Sequence, residues 1–383
     1  MEYDIKLSMI NVVVNGKLFK KKNVTGLQRY VIEILKEIDK IINYGEIELL
    51  VPKENNNIPN FENIKVIKTR NLPEVFWEQI ILPIYAIKNK KTIINMSNTA
   101  PIVKPDILII HDIAPIKQTQ NFKLLKKIYY RFLYAFNIRN AKEIITVSNF
   151  SKKEIAKQYS IKEEKIKIIS NSWQHMQNIK EKEVKTIKNI KPYFFSLGTL
   201  AKHKNMKWVI DAAKKNPNYN FAISGYGKIN DKDNQFKNII YLGYLKDEEM
   251  KYVMKNAEGL IFPSFYEGFG IPPLEALALD TKAIVSDIPA LKEIYENSVY
   301  YIDPKDSNIN LEEILKKKVD KRDKILRKYS WELSAKQLLK LLREGKYESS
   351  DNTWLDSELW WWRKSSIKFA WNVSRSSNIY ISV

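Results

Sequence analysis

The chain contains no cysteine, which excludes disulfides, thiolate metal sites and thiol nucleophiles together. Histidine is nearly as scarce. The three residues His111, His175 and His203 are too few for a histidine-rich metal site. No uncharged apolar run is long enough to span a bilayer. The opening residues MEYDIKLSMINVVVNG carry early acids and only a short apolar run, which fits neither a secretory signal nor an anchor. These absences predict a soluble, cytoplasmic protein.

Positive charge, by contrast, is abundant. Sixty-four Lys and Arg against 44 Asp and Glu give a formal charge of +20. Nucleic acid, an anionic membrane surface or a phosphorylated ligand would each suit that balance. A compositional habit, with lysine as the general solvating residue, accounts for it equally. No zinc-finger spacing, RNA-binding aromatic signature or basic heptad array is present, so nucleic acid is not an expected partner.

At 383 residues, with 44% hydrophobic content, the chain has material for two cores. Short β-branched runs alternate with helical patterns: INVVV (10–14), EIELLV (46–51), TIINM (92–96), DILIIH (106–111), EIITVS (143–148) and KIKIIS (165–170). A second series follows: YFFSLG (193–198), YNFAISG (219–225), NIIYLG (238–243), GLIFPS (259–264), KAIVSD (282–287) and VYYID (299–303). Such alternation predicts parallel sheets covered on both faces. We expect an α/β protein of two Rossmann-like, doubly wound domains facing a central cleft. Residues 1–175 and 192–345 form the domains, 176–191 a polar linker and 346–383 a separate tail. Ligands of such sheets bind beyond the carboxyl ends of the strands.

The stretch FPSFYEGFGIPPLEALALD (262–280) places Glu267 and Glu275 around a Gly-Phe-Gly turn and a double proline. Pro272 and Pro273 suit the start of a helix. The free N–H groups of that helix form an anion site, and Gly268 and Gly270 let backbone approach a ligand. Glu267 precedes the helix and Glu275 is expected in its first turn, both carboxylates being natural acceptors for sugar or ribose hydroxyls. A first-turn Glu is also favoured by the helix dipole alone.

EGFGIPPLEALAL resembles the E-x7-E signature of the retaining GT-B glycosyltransferases of family 4 (group 1). Further segments resemble that family in its order over most of the chain: NVTGLQRYVIEIL (23–35), IIHDIAP (109–115), ITVSNFSKKEI (145–155), SLGTLAKHKN (196–205) and YLGYLKDEEM (241–250). The resemblance implies a nucleotide-sugar donor bound mainly by the C-terminal domain. Lys204 would neutralise the diphosphate, with Gly198 and Thr199 in its Gly-rich loop. Glu275 would hold the ribose hydroxyls and Glu267 would face the transferred sugar. Gly268, Phe269 and Gly270 would contribute backbone N–H groups, and Gly26 would leave room for the diphosphate. Gly243, Tyr244 and Leu245 would flank the base, and His111 would contact the sugar or the transferring oxygen.

The chain departs from the family pattern at three places. Thr199 and His203 stand where many members carry arginine, and Asp280-Thr281-Lys282 replaces a Gly-x-Pro turn. The resemblance implies transfer with retained anomeric configuration, without a metal or cofactor. The only D-x-D triplet, Asp231 to Asp233, lies in a polar run that reads as a surface loop. Gly225 and Gly227 lack the third glycine of a dinucleotide fingerprint.

Two segments extend the partner question. NFKLLKKIYYRFLYAFNIRN (121–140) interleaves basic and aromatic residues at helical spacing. It fits either a face that meets anionic lipid on the inner side of the cell membrane or a core helix with a wet basic side. The tail, with Trp354, Trp360, Trp361, Trp362 and Trp371, reads as an anchor, a partner contact or a strand-bearing end folded on the body. The expectation is a glycosyltransferase acting on a glycan or lipid-linked acceptor in surface polysaccharide assembly. The alternative is a non-catalytic nucleotide-sugar-binding or membrane-associated scaffold of the same fold.

Overall fold

A computed structural model describes residues 10–20, 24–54, 58–117, 124–198, 201–225 and 236–345. Thr199, Gly227, the Asp231 to Asp233 triplet and the Trp-rich tail lie outside these residues.

Two parallel sheets organise the chain. The first has the order β3-β2-β1-β4-β5-β6-β7 and the second β10-β9-β8-β11-β12-β13. In the first sheet β1 is Val12–Asn15, β2 Ile47–Pro52, β3 Lys65–Thr69, β4 Thr92–Asn95, β5 Ile107–Ile109, β6 Glu143–Thr146 and β7 Ile166–Ile168. In the second β8 is Tyr193–Leu197, β9 Asn220–Ser224, β10 Ile239–Gly243, β11 Gly259–Phe262, β12 Lys282–Ser286 and β13 Tyr300–Ile302. Every apolar run named above becomes a strand. The addition is β3, whose residues are half-buried or exposed, as an edge strand permits.

Both orders reverse once, between β1 and β4 and between β8 and β11. At a reversal, the connections leave on opposite faces of the sheet and open a crevice at the carboxyl ends of the two strands. Loops from β1, β8 and β11 therefore enter the two crevices.

The polar stretch between the sheets is not a free tether. Its Ile187 is buried, packing with Tyr193 and Phe195 of β8 and with Val253 and Met254. Periodicity could not reveal this, because one buried isoleucine among lysines leaves no pattern. Helix Trp331–Glu344 returns to the first half and packs on helix Gly26–Asp39. Its Leu338 and Leu342 join one core with Ile34, Leu35 and Ile38 of that helix, and the same core reaches Phe262 and Leu274. A single apolar body thus runs through both halves.

Candidate functional site

The loop leaving β11 carries Glu267 and ends at Gly270, whose φ of +83° starts helix Ile271–Ala278. Only glycine adopts that conformation readily, and a Cβ there would lie 2.8 Å from Leu291 Cδ2. The loop leaving β8 brings Gly198 and then a 3-10 turn, Lys202–Lys204. Across the crevice, Lys204 Nζ donates to Glu267 Oε1 at 2.8 Å and lies 5.5 Å from the centre of the Phe262 ring. The pair keeps 24% and 10% side-chain exposure, so it is partly desolvated yet reachable.

His203 also ties these loops together, its backbone carbonyl accepting from Phe265 N–H at 2.8 Å. Its imidazole is lowered from its ordinary value by burial and then by Lys204, so it supplies no cation at neutral pH in place of the arginine it replaces.

The first half faces this crevice at contact distance. Gly26 opens helix Gly26–Asp39, which Thr25 and Gln28 cap reciprocally. A Cβ on Gly26 would be 3.8 Å from Ile271 Cδ1, so the two helix starts meet near the β11 loop. Each turns the positive end of its dipole toward the same space, but Pro272 and Pro273 carry no N–H, so the second helix start offers few of the donors expected of it.

His111 follows β5. Its Nε2 lies 3.2 Å from the Met96 carbonyl, which can only accept, so Nε2 carries the proton and Nδ1 is the acceptor. Burial lowers its pKa to about 4, against the opposing Met96 bond. The ring sits edge-on to Tyr30 with centroids 4.7 Å apart. The main chain at His111 presses on the other half: a Cβ on Gly268 would be 2.4 Å from His111 O. Ser148 Oγ donates to Gly268 O at 2.6 Å and Ser151 Oγ to His111 O at 3.0 Å.

Glu275 departs from expectation in two ways. It is the fifth residue of its helix, not in the first turn, because Gly270 starts the helix at Ile271. The macrodipole therefore does not account for it. It is also buried, with Oε1 2.8 Å from His175 Nε2. Phe269 is 3% exposed and edge-on to Tyr329 at 5.1 Å, so its side chain belongs to the core and only its backbone is available. Gly243 ends β10 at the sheet's edge, two strands out from β8, and Tyr244 and Leu245 follow it. Tyr244 is exposed and Leu245 buried. Thr199 lies outside the described residues.

Four residues that sequence reasoning passed over belong to this site. Burial raises the Asp112 carboxyl and the Ala114 N–H it accepts pulls it back, while Glu267 and Lys204 act on it with opposite signs. It therefore stands in the field of the pair. Burial lowers the Arg29 guanidinium, but Asp247, then Glu275 and Glu33, leave it above its ordinary value. Arg29 forms a close ion pair with Asp247, joining the two halves. Glu293 accepts from Asn149 N–H at 2.7 Å and Phe150 N–H at 2.6 Å, capping helix Asn149–Tyr159 from the opposite half. His175 is the fourth. Nothing local marks Glu293, His175 or the Arg29–Asp247 pair, since those partners come from distant parts of the chain.

Comparison with known proteins agrees with this geometry. Residues 177–345 match the family model described as glycosyl transferases group 1. The O-antigen chain mannosyltransferase RfbU of Salmonella typhimurium is 33% identical over 228 residues, 57% of this chain and 62% of that protein. O-antigen chain mannosyltransferase B of Escherichia coli is 27% identical over 193 residues, 44% of this chain and 50% of that protein. The chain thus spans less than two thirds of either relative. Sucrose-phosphate synthase from Thermosynechococcus elongatus superposes with a TM-score of 0.67 at 16% identity, over 87% of this chain and 98% of that one. Likeness at that identity speaks for the fold. Two parallel Rossmann-like halves with crevices at both strand-order reversals give this chain the GT-B fold, and its residues 177–345 are similar to the group 1 glycosyltransferases.

Proposed function

We propose that this protein is a retaining, metal-independent mannosyltransferase that moves mannose from a nucleoside diphosphate to a growing surface polysaccharide. The observation that carries the reading is the Lys204–Glu267 pair, set at the β8/β11 reversal against two converging helix starts. When the bond from the sugar to the diphosphate breaks, its electron pair stays on phosphate oxygen. The acceptor hydroxyl bonds to the freed carbon and its proton leaves with the diphosphate. The developing charge needs preorganised positive charge, and Lys204 with the positive dipole ends of the two helix starts offers it from the chain itself. Glu267 would then exchange its contact with Lys204 for sugar hydroxyls, and Glu275 would accept from the ribose. His111, with Nδ1 open, would accept a hydroxyl of the sugar.

Mannose is favoured by the two O-antigen mannosyltransferase relatives. A lipid-linked acceptor at an anionic membrane is favoured by helix Leu124–Asn140. Its Ile128 and Phe132, four residues apart, are 56% and 57% exposed, and Arg131 beside them is exposed too. No described helix is long and apolar enough to cross a membrane, so contact would be interfacial.

The test is a thermal-shift screen against UDP, GDP, ADP and dTDP, followed by turnover of the mannose ester of whichever nucleotide binds. Anomeric configuration is read by proton NMR, with and without EDTA. One nucleotide should raise the melting temperature, and the product should keep the donor's configuration at an EDTA-independent rate. Inverted product refutes the retaining mechanism, and loss of rate in EDTA refutes metal independence.

A further inference from the structure

We propose that His175, itself set by Trp331, is a positioning residue that aims Glu275 at the donor's ribose. The inference rests on the reading of Glu275 as the ribose acceptor.

Glu275 Oε1 and His175 Nε2 are 2.8 Å apart, with side-chain exposures of 7% and 2%. On the far side of the imidazole, Trp331 Nε1 lies 3.2 Å from His175 Nδ1. An indole N–H can only donate. Nδ1 must therefore accept, Nε2 must carry the proton, and the imidazole donates it to the carboxylate. The tryptophan fixes the tautomer, as a carboxylate or carbonyl does in many metal and catalytic sites. One oxygen of Glu275 is held by this bond, and the other is left for a hydroxyl.

The support for the ring is itself built. Trp331 opens the returning helix, where Ser330 Oγ accepts from Leu333 N–H at 3.3 Å. Gln174 Oε1 accepts from Trp331 N–H at 3.2 Å and its Nε2 donates to Tyr329 O at 2.9 Å. Trp173 Nε1 donates to Leu326 O at 2.9 Å. Three consecutive side chains, 173 to 175, thus fasten the returning segment beside the glutamate. Tyr30 stands edge-on to Trp331, with ring centres 6.0 Å apart, and edge-on to His111. The aromatic chain His111, Tyr30, Trp331, His175 therefore connects the sugar side of the crevice to Glu275.

A neutral imidazole suits this task. It restrains a buried carboxylate without placing a full positive charge on it, so the oxygen that remains keeps its capacity to accept from hydroxyls. A lysine in its place would compete with the ligand as an ion pair.

The test separates positioning from simple packing by using the ribose hydroxyls as the readout. Calorimetric affinities are measured for the nucleoside diphosphate among UDP, GDP and ADP that binds, and for its 2′,3′-dideoxy form. The proteins are wild type, Glu275→Ala, His175→Phe, His175→Gln and Trp331→Phe. His175→Phe should weaken the ribonucleotide on the order of tenfold and leave the dideoxy form unchanged. His175→Gln, which still offers an amide N–H toward Glu275, should recover most of the loss. Trp331→Phe keeps a ring in place but removes the N–H. It should weaken the ribonucleotide by a smaller factor, and it serves as the readout should His175→Phe not fold. Equal weakening of both nucleotides, or of neither, overturns the inference. If Glu275→Ala discriminates the two nucleotides and the His175 and Trp331 variants do not, only the positioning role fails. If Glu275→Ala does not discriminate them, or no nucleotide binds wild type, the donor-site reading fails and takes the inference with it.

Discussion

Each sheet has a lysine just beyond a strand at its order reversal, and each lysine meets a glutamate, yet the two pairs are built for opposite ends. Lys17 follows β1. Its Nζ lies 2.5 Å from Glu78 Oε1 and 2.5 Å from Thr99 Oγ1, while Asn15 Nδ2 donates to the same carboxylate at 3.0 Å. Side-chain exposures are 6% and 4%. Lys204 follows β8 and meets Glu267 at 2.8 Å with 24% and 10% exposure. The first pair is closed off by neutral hydrogen-bonding neighbours. The second has one hydrogen bond between its members and an open side toward two helix starts. The same chemistry is a fixture where it is saturated and a ligand site where it is not.

Removing one member of each pair breaks the comparison most sharply. Lys17→Met would leave Glu78 buried without its cation, and breaking such a pair costs about 3–5 kcal/mol of stability. The denaturant midpoint should fall accordingly. The double variant Lys17→Met with Glu78→Leu should recover most of the loss, since the stranded charge is gone. A single variant that unfolds like wild type would show the first pair to be incidental.

Lys204→Ala should do the reverse. Its effect falls on turnover, by about a hundred- to a thousandfold as for loss of one charge-stabilising donor. Its stability change should stay smaller than that of Lys17→Met, because Glu267 can turn its carboxylate toward solvent. Unchanged turnover with a large drop in melting temperature would invert the assignment of the two pairs.

The open pair also depends on how tightly the halves close around it. Gly268→Ala places a methyl where His111 O and Asp112 Cβ now sit, at 2.4 and 3.0 Å. Backbone must move apart there. A displacement of about 1 Å at a reacting centre costs on the order of a hundredfold in rate. The Lys17 pair is remote from this contact and should be undisturbed. Turnover within a few fold of wild type would show that the contact at Gly268 is not held during reaction.

The contrast between the pairs also explains what the sequence could and could not disclose. Strand runs such as GLIFP and KAIVS are buried on both faces and therefore read as continuous apolar segments. Strand β3, KVIKT, is an edge strand whose lysines face water, and it leaves no such run. Glu267 and Gly270 were legible as candidates because they flank a Gly/Pro-rich turn between a strand and a helix, and Lys204 through the resemblance of SLGTLAKHKN to a Gly-rich phosphate loop. His175 was not, because it sits in a polar stretch and its partner is 100 residues away. Glu78 was equally silent: its place in the π-helical turn Trp77–Ile81 is set by tertiary packing, not by any local spacing. Lys17 looked like one lysine among many, and only the fold shows that it is sealed.

The smallest effect concerns His111, where the two halves touch. Its folded pKa of about 4, set by burial, lies below the value of about 6.5 for an unfolded chain. Between those values the unfolded chain binds a proton that the folded one refuses, so stability falls as pH falls. The contribution is fully present above about pH 6.5 and is lost progressively toward pH 4. One pH unit within that window corresponds to at most about 1.4 kcal/mol. His111→Phe, which keeps an aromatic ring beside Tyr30, removes the titration. The difference in unfolding free energy between wild type and variant should therefore be flat above pH 7 and should close by about 1 kcal/mol between pH 6.5 and 5.5. Wild type should show that slope across the window, and His111→Phe should not. If His111→Phe retains that slope as well, the acid sensitivity originates elsewhere, and the histidine is not held neutral at the junction of the two halves.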